Sequence, residues 1–201
     1  TIVITGCYSQ LEADQCLNIE ELKDRQIIFI GNDKKETLVE TCLGNSAVST
    51  ELPNLAQMQK ANKLKPLPIK RFTARTRAYL KVQDGCNSYC SYCIVPYTRG
   101  REKSRRAAEI LDDIKKLVEH KGIQEVTLLG QNVNSYKSGD RDFPDLLKSV
   151  NDIDGIHRIR FVTSHPKDLS DRLIETMAEC DAVCKHLHLA MQSGSNRILG
   201  K

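Results

Sequence analysis

From Ala78 onward, short apolar runs alternate with amphipathic helical stretches, and few folds accept that order. Residues 78–82 read as a strand and 107–120 as a helix, with Ile110, Leu111, Ile114, Leu117 and Val118 on one stripe and Gly122 as its stop. Residues 125–129 read as a second strand, 144–150 as a shorter helix, 158–162 as a third strand, 169–179 as a helix and 186–189 as a fourth strand. Strands joined through helices pair in parallel with right-handed crossovers. The expected fold is therefore α/β, a barrel of the TIM type or part of one, with its chemistry in the loops after the strands.

The residues before this series are organised differently. Ile2-Val3-Ile4 and residues 26–30 read as strands, while 11–22 and 34–43 read as helices, the second stopped by Gly44. This predicts that residues 1–44 are the C-terminal part of an open parallel α/β domain. Residues 45–75 lose periodicity, carry Pro53, Pro66 and Pro68, and read as a linker, so that 76–201 form the second, truncated domain. No acidic residue occurs between Glu51 and Asp84, whereas Lys60, Lys63, Lys65, Lys70, Arg71, Arg75 and Arg77 accumulate there. Such a basic arm can contact phosphates, or it can be a solvated linker. The chain opens on a strand-like run without an initiator methionine and closes in what reads as mid-helix, which suggests a piece of a longer protein.

Composition narrows the class. No apolar run approaches the roughly 20 residues that span a bilayer, and the first residues lack a basic, signal-like start, so a cytoplasmic protein with no membrane partner is expected. A net charge of +4 permits a nucleic-acid partner without demanding one. With no Trp and few Phe or Tyr, nothing supports an aromatic base-stacking platform. Eight cysteines are too few for a disulfide scaffold in 201 residues, and clustered thiols in a reducing compartment are better explained as metal ligands.

The cluster lies directly after the first strand of the series, in Asp84-Gly85-Cys86-Asn87-Ser88-Tyr89-Cys90-Ser91-Tyr92-Cys93. Where protein alone ligates a cubane iron–sulfur cluster it supplies four thiolates, so the three of this C-x3-C-x2-C loop would leave one iron open for a small molecule. A structural zinc site is the competing reading, but it commonly shows a second ligand pair, which this spacing lacks. Cys180 and Cys184, a lone C-x3-C, read as packing residues, as do Cys16 and Cys42.

The loop, with an aromatic residue before its last cysteine, resembles the signature of the radical S-adenosylmethionine superfamily. Further strings narrow the resemblance: Cys93-Ile94-Val95-Pro96-Tyr97-Thr98-Arg99-Gly100-Arg101-Glu102, Leu129-Gly130-Gln131-Asn132-Val133-Asn134, Arg158 through Pro166, and His186-Leu187-His188-Leu189 through Gln192-Ser193-Gly194-Ser195. In order and spacing these are similar to the radical S-adenosylmethionine methylthiotransferases, over most of residues 78–199. The resemblance implies a radical SAM barrel, two [4Fe-4S] clusters, S-adenosyl-L-methionine, a tRNA substrate and a reductant such as a flavodoxin or ferredoxin. It further implies that a 5′-deoxyadenosyl radical removes hydrogen from C2 of a modified adenine, in tRNA position 37, before sulfur and methyl are added.

The same resemblance suggests roles residue by residue. Cys86, Cys90 and Cys93 would hold the cluster that binds S-adenosylmethionine, with Tyr92 near the adenine. Cys7, in Thr5-Gly6-Cys7-Tyr8, would be the last of three ligands of the second cluster, the other two lying upstream; alone, such a cysteine reads as a buried thiol. Gln131 and Asn132 would meet the amino group of S-adenosylmethionine, or simply cap a turn. Gln192 and Ser193 would hold its ribose, and Ser164 and His165 would face the substrate. Arg99, Arg101, Arg105 and Arg106 are suited to bind carboxylate or phosphate, or to open an exposed helix. The Gln131 and Thr163-Ser164-His165-Pro166 strings favour the branch acting on N6-isopentenyladenosine (dimethylallyladenosine). Thr5-Gly6-Cys7-Tyr8 and Ala190-Met191 depart toward, or from, other members, which keeps N6-threonylcarbamoyladenosine open as substrate. A non-catalytic, metal-stabilised RNA-binding module is the alternative of another class.

Overall fold

The computed structural model of the chain describes residues 1–32, 34–44 and 77–200. The expected basic linker at 45–75 lies outside the described residues. The described residues form two compact units: those up to 44 together with 86–101, and 77–85 together with 102–200.

In the first unit, β1 (Ile2–Thr5) and β2 (Ile27–Ile30) pair in parallel, Ile2 opposite Ile27 and Thr5 opposite Ile30. The two are too far apart for a hairpin and are joined by helical turns, as parallel strands require. The long helix expected over 11–22 is instead α1 (Cys7–Leu11), α2 (Ala13–Leu17) and a single 3-10 turn at Glu20–Leu22. Glu12, with φ −124° and ψ 42°, sits outside helical space and separates the first two pieces. The helix expected over 34–43 likewise opens as a 3-10 turn, Lys35–Thr37, before α3 (Leu38–Cys42). The unit also contains α4 (Val95–Arg99), which packs against α1.

The second unit is built on a parallel ladder of β3 (Arg77–Lys81), β6 (Glu125–Leu129) and β9 (Arg158–Phe161), in the order β3, β6, β9. Two-stranded antiparallel pairs flank it, β4 (Gln83–Asp84) with β5 (Lys103–Ser104), and β7 (Lys137–Ser138) with β8 (Arg141–Asp142). One face of the ladder, Ala78, Leu80, Val126, Leu128, Ile159 and Phe161, is buried with α5 (Ala107–Lys121) and α6 (Phe143–Asn151), which contribute Ile110, Ile114, Leu146, Leu147 and Val150. Each such aliphatic side chain stabilises the fold by about 1.5–3 kcal/mol on burial. Phe143 and Phe161 meet edge to face at 5.1 Å. The alternate strand positions, among them Arg77, Tyr79, Thr127 and Arg160, point to the other face, following the period of two.

Helix ends are fixed locally. Asp142 and Asp145 form a reciprocal capping box at the start of α6, and Arg172 of α7 (Asp171–Glu179) ion-pairs with both carboxylates, tying the two helices together. Gly122 ends α5 in the left-handed region at φ 61°.

The expected fourth strand at 186–189 does not form. Its place is taken by isolated bridges, Ile159 with Val183 and Ser164 with Leu189. Between the two bridges lies Thr163, whose φ of 64° is rare for a β-branched residue and interrupts the edge that a fourth strand would extend. No helix among the described residues is long and apolar enough to cross a membrane.

Candidate functional site

Within the first unit, the cysteine loop is bracketed by turns. Gly100 follows α4 at φ 74°, and its carbonyl accepts the Cys86 N–H at 3.3 Å, so the segment from 86 to 100 is closed at its base. Tyr89 is itself left-handed at φ 46° and packs edge to face on Tyr97 at 6.0 Å. All three thiols are partly exposed. The Ser88 N–H donates to Cys86 Sγ at 3.4 Å, and the Cys93 N–H donates to the Cys90 carbonyl at 2.8 Å. Amide hydrogen bonds of the first kind favour a thiolate and modulate a cluster bound to it.

No three Cys, His, Asp or Glu side chains among the described residues converge on a point where a single metal ion would sit. A tetrahedral zinc needs such convergence, whereas a cubane takes each thiolate on a different iron and spreads them apart. Three thiolates from one short loop are the donor set that a cubane with one open iron would take. Tyr92, between the last two cysteines, is 71% exposed; partial burial and then the Cys90 and Cys93 thiols push its phenol up. Arg99 lies in the last turn of α4, and Arg101 is exposed beyond it.

Cys7 belongs to the same unit, at the first position of α1, after Gly6 at φ 133°. Its thiol is partly exposed, and Asn32 Nδ2 lies 4.0 Å from the sulfur while donating to the Thr98 carbonyl at 2.7 Å. The unit therefore brings Cys7 near the helix that follows the cysteine loop, through a residue that sequence reasoning missed.

The second unit gathers a polar network at the C-terminal ends of its strands. Gln83, fully buried, accepts the Gln131 N–H at 2.8 Å and the Asn132 N–H at 3.3 Å, and donates to the Gly85 carbonyl at 3.0 Å. Gln131 Oε1 in turn accepts the Gly85 N–H at 3.0 Å. Gly130 allows this fit, because a Cβ there would come within 2.6 Å of Gln83 Oε1 and 3.2 Å of the Val133 Cα. Asn132 is buried and donates through Nδ2 to Asp168 Oδ2 at 2.6 Å, while its Oδ1 is buried without a hydrogen-bond partner. Ser135 Oγ donates to Glu102 Oε2 at 2.7 Å. Burial pushes the Glu102 carboxyl up, the Ser135 hydrogen bond opposes this, the Asp168 charge pushes it further, and a Gln83 hydrogen bond opposes again.

Ser164 and His165 join the network through Asn134, whose carboxamide donates to the His165 carbonyl at 2.9 Å and accepts the His165 N–H at 2.8 Å. Ser164 is buried with an unpartnered hydroxyl, whereas His165 Nδ1 accepts the Lys167 N–H at 3.2 Å and caps the turn at Pro166–Asp168. Gln192 is exposed in the left-handed region, and Ser193 Oγ accepts the Ser195 N–H at 3.1 Å, a turn contact ahead of α8 (Asn196–Leu199). Arg105 is buried and ion-paired with Asp113 at 2.6 Å, and Arg106 pairs with Glu109. Gln83, Glu102, Ser135 and Asp168 carried no local sequence signal, since each gains its meaning from partners 20 or more residues away.

Residues 80–201 match the pattern of the Radical SAM superfamily. The chain belongs to that superfamily. Among curated proteins, the tRNA-2-methylthio-N(6)-dimethylallyladenosine synthase of Thermodesulfovibrio yellowstonii is 44% identical over 201 residues, covering 98% of this chain and 44% of the relative. The enzyme of the same name from Clostridium novyi is 45% identical over 205 residues, covering all of this chain and 44% of the relative. The chain thus spans less than half the length of these relatives. Among solved structures, the radical S-adenosylmethionine methyltransferase TsrM of Kitasatospora setae, with tryptophan and a SAM analogue bound, aligns with a TM-score of 0.50 and 18% identity, covering 77% of this chain and 26% of the other. That likeness concerns the fold, the mixed α/β architecture with a parallel ladder expected for part of a radical SAM barrel.

Proposed function

We propose that this chain serves a cytoplasmic tRNA methylthiotransferase, which adds sulfur and methyl at C2 of N6-isopentenyladenosine (dimethylallyladenosine) at position 37. In this reading residues 1–44 belong to the sulfur-donating domain and 76–201 to the radical SAM domain. The observation that carries it is the closed cysteine loop with three partly exposed thiols, one of them already accepting a backbone N–H. The names of relatives 44–45% identical over essentially the whole chain support the choice of reaction and of base.

Cys86, Cys90 and Cys93 would hold a [4Fe-4S] cluster, and Cys7 would contribute to a second. When bound, the first would supply the one-electron chemistry that cleaves S-adenosylmethionine. The chain's own residues do the positioning. In the first unit Gly100 closes the loop's base and Tyr92 would offer an exposed ring to the adenine; in the second, Gln131, fixed through Gly85 and Gln83, and Asn132 would meet the amino group of S-adenosylmethionine. Gln192 and Ser193 would meet the ribose, and Ser164, His165, Arg99 and Arg101 the tRNA. A flavodoxin or ferredoxin would deliver the electron.

Mass spectrometry of tRNA from a strain lacking the full-length protein tests this. Loss of 2-methylthio-N6-isopentenyladenosine is expected; loss of the methylthio derivative of threonylcarbamoyladenosine would reassign the base, and an unchanged nucleoside profile would favour a non-catalytic RNA-binding module.

A further inference from the structure

Thr163, just past the C-terminal end of β9 in the second unit, is a β-branched residue at φ 64°, a conformation that persists only where neighbours hold it. Each of its polar atoms is held, although the residue is exposed. Its carbonyl accepts the Val133 N–H at 3.0 Å, and its hydroxyl, shared with the Val162 carbonyl, donates to the Gly130 carbonyl at 2.5 Å. Its N–H donates to Nδ1 of His188 at 3.2 Å. The first two contacts grip residues 130–133 at both ends, around Gln131 and Asn132. The third ties that grip to the segment leading to Gln192. There the His188 carbonyl accepts the Ser164 N–H at 3.1 Å, and the Ser164 carbonyl accepts the Ala190 N–H at 3.4 Å.

His188 is exposed, so burial does little to fix its ring, and the bond from Thr163 is what orients it. A neutral imidazole that accepts at Nδ1 carries its proton on Nε2. We propose that His188 is a positioning residue: its Nδ1 holds Thr163 left-handed, and through Thr163 it fixes the 130–133 loop in the shape that receives S-adenosylmethionine. Without that acceptor Thr163 relaxes to a negative φ, which turns its carbonyl from Val133 and its hydroxyl from Gly130. Gln131 then keeps only its contacts with Gln83 and Gly85. The ligand's part in this rests on the radical S-adenosylmethionine reading; the hold on the loop does not.

The test is amide hydrogen exchange and equilibrium binding of S-adenosylmethionine, both on the full-length protein reconstituted anaerobically with iron and sulfide. H188A and H188Q place no acceptor where Nδ1 stands. Each should speed exchange of the Val133 amide on the order of 10-fold, leave residues 125–129 unchanged, and bind S-adenosylmethionine about 3- to 10-fold more weakly, the range of one hydrogen bond. H188N should restore both, because its Oδ1 reproduces the Nδ1 acceptor while nothing replaces the Nε2 donor. Unchanged exchange at Val133 in H188A overturns the proposal, and so does faster exchange spread through 125–129, which would mark general destabilisation. Faster exchange with unaltered binding overturns it too. If H188N fails to restore either measurement, the acceptor is not what matters, and the assignment falls. If wild type binds no S-adenosylmethionine, the function proposed above falls, while the exchange at Val133 still decides whether His188 holds the loop.

Discussion

Glu125 and Glu102 stand at opposite ends of one parallel ladder and are driven in opposite directions. Glu125, at the start of β6, is buried, which by itself disfavours its charge. Hydrogen bonds from Arg158 and Arg160 and the charge of Arg77 overcome that, at 3.0, 2.8 and 2.7 Å, and hold its carboxyl below the usual range. Glu102, at the other end, meets a hydroxyl, an amide and another acid, and is pushed up. The two ends show how the unit divides its tasks. Where the strands begin, opposite charges meet and hold the ladder; where they end, Glu102 meets a hydroxyl, an amide and a second acid, and its charged form is disfavoured.

The comparison can be broken first at the matched end. E125A leaves three arginines facing one another, and a loss of about 3 kcal/mol in urea unfolding of the full-length protein is expected. The sign with pH follows from the lowered carboxyl: its contribution is fully present above the ordinary glutamate range, about pH 4.3, and disappears as pH falls through the folded value below it. The gap between wild type and E125A should therefore narrow in acid. G130A strikes the unmatched end through packing. A methyl group there collides with Gln83 and the Val133 backbone, so a loss of about 2 kcal/mol is expected, together with weaker binding of S-adenosylmethionine. E102Q should give the smallest change and the opposite sign, a rise in melting temperature at neutral pH. Because the Glu102 carboxyl is raised, its folded form is favoured below the ordinary glutamate range and loses that advantage as pH rises through the higher folded value. The rise should vanish in acid; a fall in melting temperature at neutral pH would contradict the contrast between the two ends.

The ladder was legible because its strands are short apolar runs between strongly periodic helices, and Glu125–Leu129 has the predicted bounds. The helix over 107–120 was legible for the same reason, its stripe of Ile110, Ile114 and Leu117 being buried as the pattern requires. Residues 186–189 misled because alternation of His and Leu predicts a full ladder, whereas the left-handed Thr163 interrupts the facing edge and the pairing shrinks to the Ser164–Leu189 bridge. Residues 11–22 misled because a polar helical pattern without an apolar stripe does not resist a break, and Glu12 supplies one. At the candidate site, Cys86, Cys90 and Cys93 announce themselves by spacing. Glu102 and Asp168 do not, since an acidic residue in a polar loop looks the same whether it is solvated or held against another acid.

The central claim is that three neighbouring thiols grip an iron–sulfur cube. The most direct measurement is iron content and electron paramagnetic resonance of the full-length protein, reconstituted and reduced, with C86S, C90S and C93S each compared with C7S. Each of the first three should lose the signal of one cluster and all formation of 5′-deoxyadenosine, while C7S keeps that signal. Full retention of that cluster in any of the three serine variants would contradict the account.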